Sequence, residues 1–190
     1  NRNIEPYRGC HSFIRAIPEI LKRNEKAQIV IVGNEKGVSY GKAHYANCWR
    51  DEFLKEIDGR YEKDRLHFVG QISYHKYLEL LQFSSCHVYL TYPFVLSWSL
   101  LEAMAAGLPI VGSNTEPVKE VIRDEQNGYL VDFFSISEIA EKVSKVLNNK
   151  DLSNHLGQEA SKLVIENYDI NVCVPKQISL IKLVADRALR

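Results

Sequence analysis

An α/β fold built on a doubly wound parallel sheet is predicted by three features of this sequence. Short β-branched runs recur along it, nearly all apolar. Each is followed by a stretch with helical periodicity. The runs lack the polar–apolar alternation of half-exposed strands, so they suit strands covered on both faces, as in a parallel sheet. Strand–helix–strand order implies helices on both sides of that sheet, and such sheets take ligands at the carboxyl ends of their strands.

The strand candidates occupy 27–33, 66–70, 86–90, 108–112 and 128–132. The first helix, near 10–24, gathers Phe13, Ile14, Ile17, Ile20 and Leu21 on one stripe. Trp49, Phe53, Leu54 and Ile57 do the same near 45–58. Tyr77, Leu78, Leu80 and Leu81 mark a third helix, and 100–106 a fourth. A short fifth over 117–123 has Pro117 in its first turn, where a missing N–H costs nothing. Ser135 is the expected cap of a helix with Ile139, Val143, Val146 and Leu147 on its buried side. Asp151 is the expected cap of 151–166, and a last helix over 170–188 carries Val174, Ile178, Ile181 and Val184. No strand separates these last helices, so they are expected at the sheet edge or against a neighbouring domain.

Composition narrows the function. The 190 residues are 45% hydrophobic and 25% charged, which suits one ordinary globular domain rather than a disordered chain. Lys+Arg and Asp+Glu each number 24, so the basic excess of a nucleic-acid binder is missing. No run approaches the ~18 apolar residues of a membrane-spanning helix. The four cysteines, Cys10, Cys48, Cys86 and Cys173, are far apart, and the six histidines show no ligand spacing; neither a metal site nor a disulfide framework is expected. A Gly-x-Gly-x-x-Gly turn, a P-loop and a Gly-x-Ser-x-Gly elbow are all absent. Lys119, Glu120, Lys142 and Lys145 read as solvated helix faces. The chain opens at Asn1-Arg2 without a leading strand and is read as beginning inside an element.

Chemistry concentrates between Cys86 and Val121. A buried strand ends near Leu90, a loop with Pro93 follows, and Ser97 or Ser99 starts a helix. A strand end beside a helix N-terminus presents N–H groups and a positive dipole end, a setting for phosphate. Glu102 lies in the first turns of that helix among apolar residues. It either binds a pair of sugar hydroxyls or complements the helix dipole, and the residues alone leave both open.

The stretch Leu101-Glu-Ala-Met-Ala-Ala-Gly-Leu-Pro-Ile-Val-Gly-Ser113 closely resembles the donor-site segment of family-4 (group 1) retaining glycosyltransferases. The resemblance implies a Rossmann-like half of a GT-B glycosyltransferase. Residues 1–190 would form its nucleotide-sugar-binding C-terminal domain, with 170–188 as the closing helix and the N-terminal acceptor domain outside this chain. Glu102 would be the ribose-binding second glutamate of the family's Glu-x7-Glu motif. Phe94 occupies the position of the first glutamate, which leaves the catalytic residues unassigned. Arg2 and Arg8 match the family's opening Arg and Lys, and with Ser97, Trp98 and Ser99 would hold the donor diphosphate. Gly33, Phe68, Val69 and Gln71 would approach the donor through their backbone, and Asn114-Thr115-Glu116 would form the loop facing the donor sugar. The aromatic loop 36–47, with Tyr40, His44 and Tyr45, would cover the site or touch the other domain.

The implied activity is transfer of a sugar from a nucleotide diphosphate donor to a carbohydrate or lipid-linked acceptor. Configuration would be retained without metal or other cofactor, in a cytoplasmic protein that meets the membrane surface only through its other domain. Cell-surface polysaccharide synthesis is the implied setting, and the 190-residue chain by itself is expected to be inactive. The alternatives are a non-catalytic nucleotide-binding module, a degenerate relative or, more weakly, a flavodoxin-like signalling domain. The last predicts an acidic cluster at the first strand ends, which the sequence lacks.

Overall fold

The computed structural model describes residues 3–35, 48–92 and 95–188. Arg2, Phe94 and loop 36–47 therefore lie outside the described residues. The elements run α1 (Cys10–Arg23), β1 (Ile29–Val32), α2 (Trp49–Glu56), β2 (Leu66–Gly70), α3 (Tyr74–Phe83), β3 (His87–Tyr89), α4 (Trp98–Ala105), β4 (Ile110–Ser113), α5 (Glu116–Lys119), β5 (Tyr129–Val131), α6 (Ile136–Asn148), α7 (Lys150–Tyr168) and α8 (Ile170–Ala188). Single 3₁₀ turns at Pro6–Arg8 and Lys63–Arg65 precede α1 and β2.

Every strand pair is parallel and helices flank the strands, as predicted. The sheet is divided, however, into β1–β2 and β3–β4–β5. The segment after Asn3 crosses between the carboxyl ends of β1 and β3. Asn3 bridges Asn34 in parallel, the Ile4 N–H donates to the Asn34 carbonyl at 3.1 Å, and the Tyr92 N–H donates to the Tyr7 carbonyl at 3.0 Å.

The helical stripes are where the periodicity puts them. Ile14, Ile17, Ile20 and Leu21 turn α1 onto the sheet and are nearly fully buried. Each contributes about 1.5–3 kcal/mol by leaving water. Ser135 caps α6 as expected, its hydroxyl accepting from the Glu138 N–H. The cap of α7 is Asn149 rather than Asp151: its Oδ1 accepts from the Leu152 N–H at 3.0 Å, and the helix starts before Asp151. The fifth helix is a single turn that starts one residue earlier than predicted and ends at Lys119. Lys142 and Lys145 are not merely solvated, since their ammonium groups lie 4.8 and 4.9 Å from the centroid of the buried Tyr129 ring. The α8 stripe stands uncovered, with Ile178, Ile181 and Val184 exposed to 47%, 67% and 58%.

One buried charge ties the α1 side of the core together. Arg65 is 6% exposed and donates to the carbonyls of Ala27, Leu21 and Asn24. The Leu21 and Asn24 carbonyls also accept from the Asn24 and Ala27 N–H groups, so the guanidinium adds a second donor to each at the turn that ends α1. Asn24 continues the network to Ser144 and Asn148 on α6, at 2.9 and 2.8 Å. Arg65→Met should destabilise the fold by about 2–3 kcal/mol, the cost of losing three hydrogen bonds from a buried charged group. Arg65→Lys should recover only part of that, because a point cation cannot serve three acceptors set in a fork. Denaturant unfolding of both variants checks this, and equal stability of parent and Met variant would refute it.

Candidate functional site

The carboxyl end of β3 and the amino end of α4 form the centre of the site. Ser97 is the cap of α4, its hydroxyl accepting from the Ser99 N–H at 3.4 Å and lying 3.0 Å from the Ser99 hydroxyl. The Ser97 N–H donates to the Tyr89 hydroxyl at 3.0 Å, which ties the helix start to β3. Burial pushes the Tyr89 phenol up from its ordinary range, while Arg8 nearby pulls the other way. Trp98 opens the helix and is 81% exposed. Behind this, the Ser113 hydroxyl donates to the Thr91 carbonyl at 2.9 Å and accepts from the Thr91 N–H at 3.1 Å. That exchange locks the end of β3 to the end of β4.

Glu102 is half-buried on the side of α4 facing α3. Its Oε1 accepts from the Tyr74 hydroxyl at 2.9 Å. Tyr77 lies beside it, with its phenol pushed well above the ordinary range by burial first and by the Glu102 carboxylate second. Tyr74 is pushed up as well, mainly by its hydrogen bond to Glu102. The carboxylate therefore holds phenol donors, and no helix N–H bonds to it. That geometry argues against a role for Glu102 as a cap.

Arg8 arrives from the 3₁₀ turn before α1. Gly9, with φ +72°, lets the chain turn from that segment into the helix. The Arg8 Nε lies 3.6 Å from the Glu5 carboxylate, which is 1% exposed, and its guanidinium stands 5.7 Å from the Tyr7 ring centroid. The Tyr7 hydroxyl donates to the other Glu5 oxygen. Arg8, Tyr77, Tyr89 and Ser99 line one cavity, and Arg8 stands close enough to Tyr89 to act on its phenol.

The ends of β1 and β2 complete the rim. The Gly33 N–H donates to the Gly70 carbonyl at 2.9 Å, which sets the turn after β1 beside the exit of β2. Phe68 is half-buried, Val69 is 43% exposed and Gln71 is exposed just past the strand. The Arg50 guanidinium stands 5.6 Å from the Phe68 ring centroid and pairs with Glu35 and Asp51. At the far side Glu116 opens α5, and the Thr115 hydroxyl is buried without a hydrogen-bond partner.

Arg8, Ser97, Ser99, Glu102, Gly33 and the 68–71 segment all lie at carboxyl strand ends or at the helix starts that follow them. Sequence reasoning missed Glu5, Tyr74, Tyr77, Tyr89 and Arg50. Glu5 was detectable as the one carboxylate between two arginines. The tyrosines sit on separate elements, and only the packing of α3 on α4 brings two of them to Glu102. Among the described residues no three His, Cys, Asp or Glu side chains are placed to hold a metal ion, and no helix is long and apolar enough to cross a membrane.

This architecture is that of a Rossmann-like glycosyltransferase domain. The family model for group 1 glycosyl transferases matches residues 2–163, and the chain belongs to that family. It is similar to an uncharacterized glycosyltransferase of Methanocaldococcus jannaschii, 29% identical over 164 residues, which are 86% of this chain and 39% of that protein. It is also similar to the N-acetyl-alpha-D-glucosaminyl L-malate synthase of Bacillus anthracis, 28% identical over 60% of this chain and 30% of that enzyme. The C-terminal domain of a group 1 glycosyl transferase from Francisella tularensis shares the fold at TM-score 0.77 and 21% identity, over 90% of this chain and 84% of that domain. So does Anabaena HepE in complex with UDP, at TM-score 0.78 and 18% identity, over 97% of this chain and 47% of that one. The chain thus spans about two fifths of the curated relatives it matches first.

Proposed function

We propose that this domain binds a nucleotide-diphosphate sugar and that the protein containing it transfers the sugar to a carbohydrate or lipid-linked acceptor with retention of configuration. The observation that carries this reading is a half-buried carboxylate, Glu102, on a Ser97-capped helix whose amino end abuts the exit of β3. Glu102 takes the ribose hydroxyls, displacing Tyr74 or sharing with it. The backbone around Trp98, the hydroxyls of Ser97 and Ser99, and the arginines Arg2 and Arg8 take the diphosphate. Gly33, Phe68, Val69 and Gln71 offer backbone groups to the base. Stabilising the departing diphosphate with preset cations and N–H groups is the source of rate enhancement, since those groups need no reorganisation as charge develops. The uncovered stripe of α8 packs against the acceptor domain, and the 190-residue chain alone binds donor without transferring sugar. The complex of Anabaena HepE with UDP supports a nucleotide ligand for this fold.

A non-catalytic reading has one observation in its favour: Phe94 stands where the family's first glutamate would be. Sugar transfer by the whole protein separates the two readings.

The decisive binding test is Glu102→Gln. An amide offers one acceptor oxygen in place of two charged ones, and each lost charged hydrogen bond costs about 1.5–3 kcal/mol. Affinity for a ribonucleoside diphosphate should fall far more than affinity for its 2′-deoxy analogue. If the ribo-to-deoxy ratio stays at the parent value while the melting temperature drops, Glu102 is structural and the ribose role is wrong.

A further inference from the structure

The carboxylate read above as the ribose site already holds a donor of the same kind. The Tyr74 hydroxyl donates to Glu102 Oε1 at 2.9 Å, as a sugar hydroxyl would. Two phenols stand beside Glu102, and they are held differently. Tyr77 is half-buried and packs against the cluster that contains Leu81 of α3 and Leu100 and Met104 of α4. Its hydroxyl also reaches toward the Ser99 carbonyl at 3.5 Å. Tyr77 therefore stays in place unless α3 parts from α4. Tyr74 opens α3 directly after the cap, Ser73, and is 62% exposed. Its ring leans on Tyr77, with centroids 6.2 Å apart. A change of rotamer at this exposed side chain moves the hydroxyl from Glu102 into water and leaves the core undisturbed.

The exposures also set the order in which a ligand meets these groups. Tyr77 lies on the protein side of the carboxylate and Tyr74 on the solvent side. A vicinal diol coming from solvent needs both carboxylate oxygens, one for each hydroxyl, and Tyr74 stands on Oε1. We propose that Tyr74 is a placeholder in the nucleotide site: its hydroxyl occupies the seat of one ribose hydroxyl and yields it when a ribonucleotide arrives. The proposal rests on the reading of Glu102 as the ribose-binding residue. The exchange keeps the half-buried carboxylate hydrogen-bonded at every stage, which matters because an unpaired acceptor loses its solvation without compensation. It also tempers affinity, since apparent binding is weakened by the fraction of molecules in which Oε1 is open. The nucleoside diphosphate left after sugar transfer is bound less tightly for the same reason, and release of product is the slow step of many enzymes.

Calorimetric titration of the protein and its Tyr74→Phe variant tests this. The probes are UDP, ADP, GDP and CDP, followed by the 2′,3′-dideoxy analogue of whichever binds. Tyr74→Phe keeps the ring and removes only the hydroxyl, so Oε1 is open in every molecule. The variant should bind the ribonucleotide about three- to tenfold more tightly, the range expected from losing one competing hydrogen bond. The dideoxy analogue brings no ribose hydroxyl to Glu102 and should bind parent and variant alike. A ribonucleotide affinity that is unchanged or weaker in the variant overturns the proposal, because the phenol then does not compete. Equal tightening of both ligands overturns it too, because the gain then comes from the ring and not from Oε1. Glu102→Gln separates this failure from failure of the underlying reading. If it abolishes the preference for ribose while Tyr74→Phe brings no gain, Glu102 binds ribose and Tyr74 is not its placeholder. If none of the four nucleotides binds, or if Glu102→Gln leaves the ribose preference intact, both fall together.

Discussion

Gly9→Ala should be among the most damaging single-methyl additions to this chain. At φ +72° an L side chain is strained by about 1–2 kcal/mol. The new Cβ would also overlap the Cβ of Leu90, the residue at the exit of β3. Relieving such overpacking typically costs about 1–3 kcal/mol. The expected loss is therefore about 2–5 kcal/mol in denaturant unfolding. The damage should reach the site as well, because Gly9 joins Arg8 to the first turn of α1 and Leu90 leads toward α4. Nucleoside diphosphate affinity should fall in parallel with stability. A loss below ~0.5 kcal/mol, the scatter of ordinary surface substitutions, would show that the turn relaxes freely.

Arg8→Ala should have a comparable effect with two separable parts. Removing the cation takes one partner from the Glu5 carboxylate, which is 1% exposed, and breaking a buried ion pair typically costs about 3–5 kcal/mol. The Tyr7 hydroxyl still donates to that carboxylate, so the lower end, about 3 kcal/mol, is expected. The second part is ligand binding. Loss of a charge-assisted hydrogen bond should weaken a nucleoside diphosphate by about 1.5–3 kcal/mol while leaving the bare nucleoside nearly unaffected. Adding Glu5→Gln to Arg8→Ala removes the buried charge that Arg8 offsets. The pair should regain much of the stability and none of the diphosphate affinity. If affinity returns with stability, Arg8 serves only to hold Glu5. If diphosphate and nucleoside weaken equally, Arg8 does not touch phosphate.

These two residues show where sequence reading reaches and where it stops. The strands and helices were legible because periodicity and β-branched runs are local signals. Val111, Ile110, Ile14 and Ile139 are buried where the pattern places them. The segment 97–113 was legible because one helix start and one buried strand carry its chemistry in consecutive residues. Tyr74 and Glu102 are 28 residues apart and meet only through packing, so no spacing rule would pair them. Glu5 and Arg8 are neighbours in sequence, yet the burial of Glu5 depends on the far ends of β1 and β3. The α7 cap was misplaced by two residues because Asn149 and Asp151 are both good caps, and the choice rests on where α6 releases the chain. The division of the sheet was not legible, since composition says which segments are strands but not which edges meet.

At the other end of α4, Gly157 of α7 lies so close to the Gly107 carbonyl that a Cβ there would collide with it. The Ser161 hydroxyl donates to the Ala105 carbonyl one turn further along, at 3.3 Å. Leu100, Met104, Ala160 and Val164 fill the space between the two helices. Helix α4 is thereby braced from behind, like a post set against a buttress, and cannot slide along its axis without carrying α7 with it. A ligand arriving at Ser97 meets a fixed surface. Whatever accommodation it needs falls to side chains held by other elements, Tyr74 at the start of α3 and Arg8 ahead of α1. A substitution at Gly157, on the side of the domain remote from the cleft, would loosen that post and be felt at Ser97.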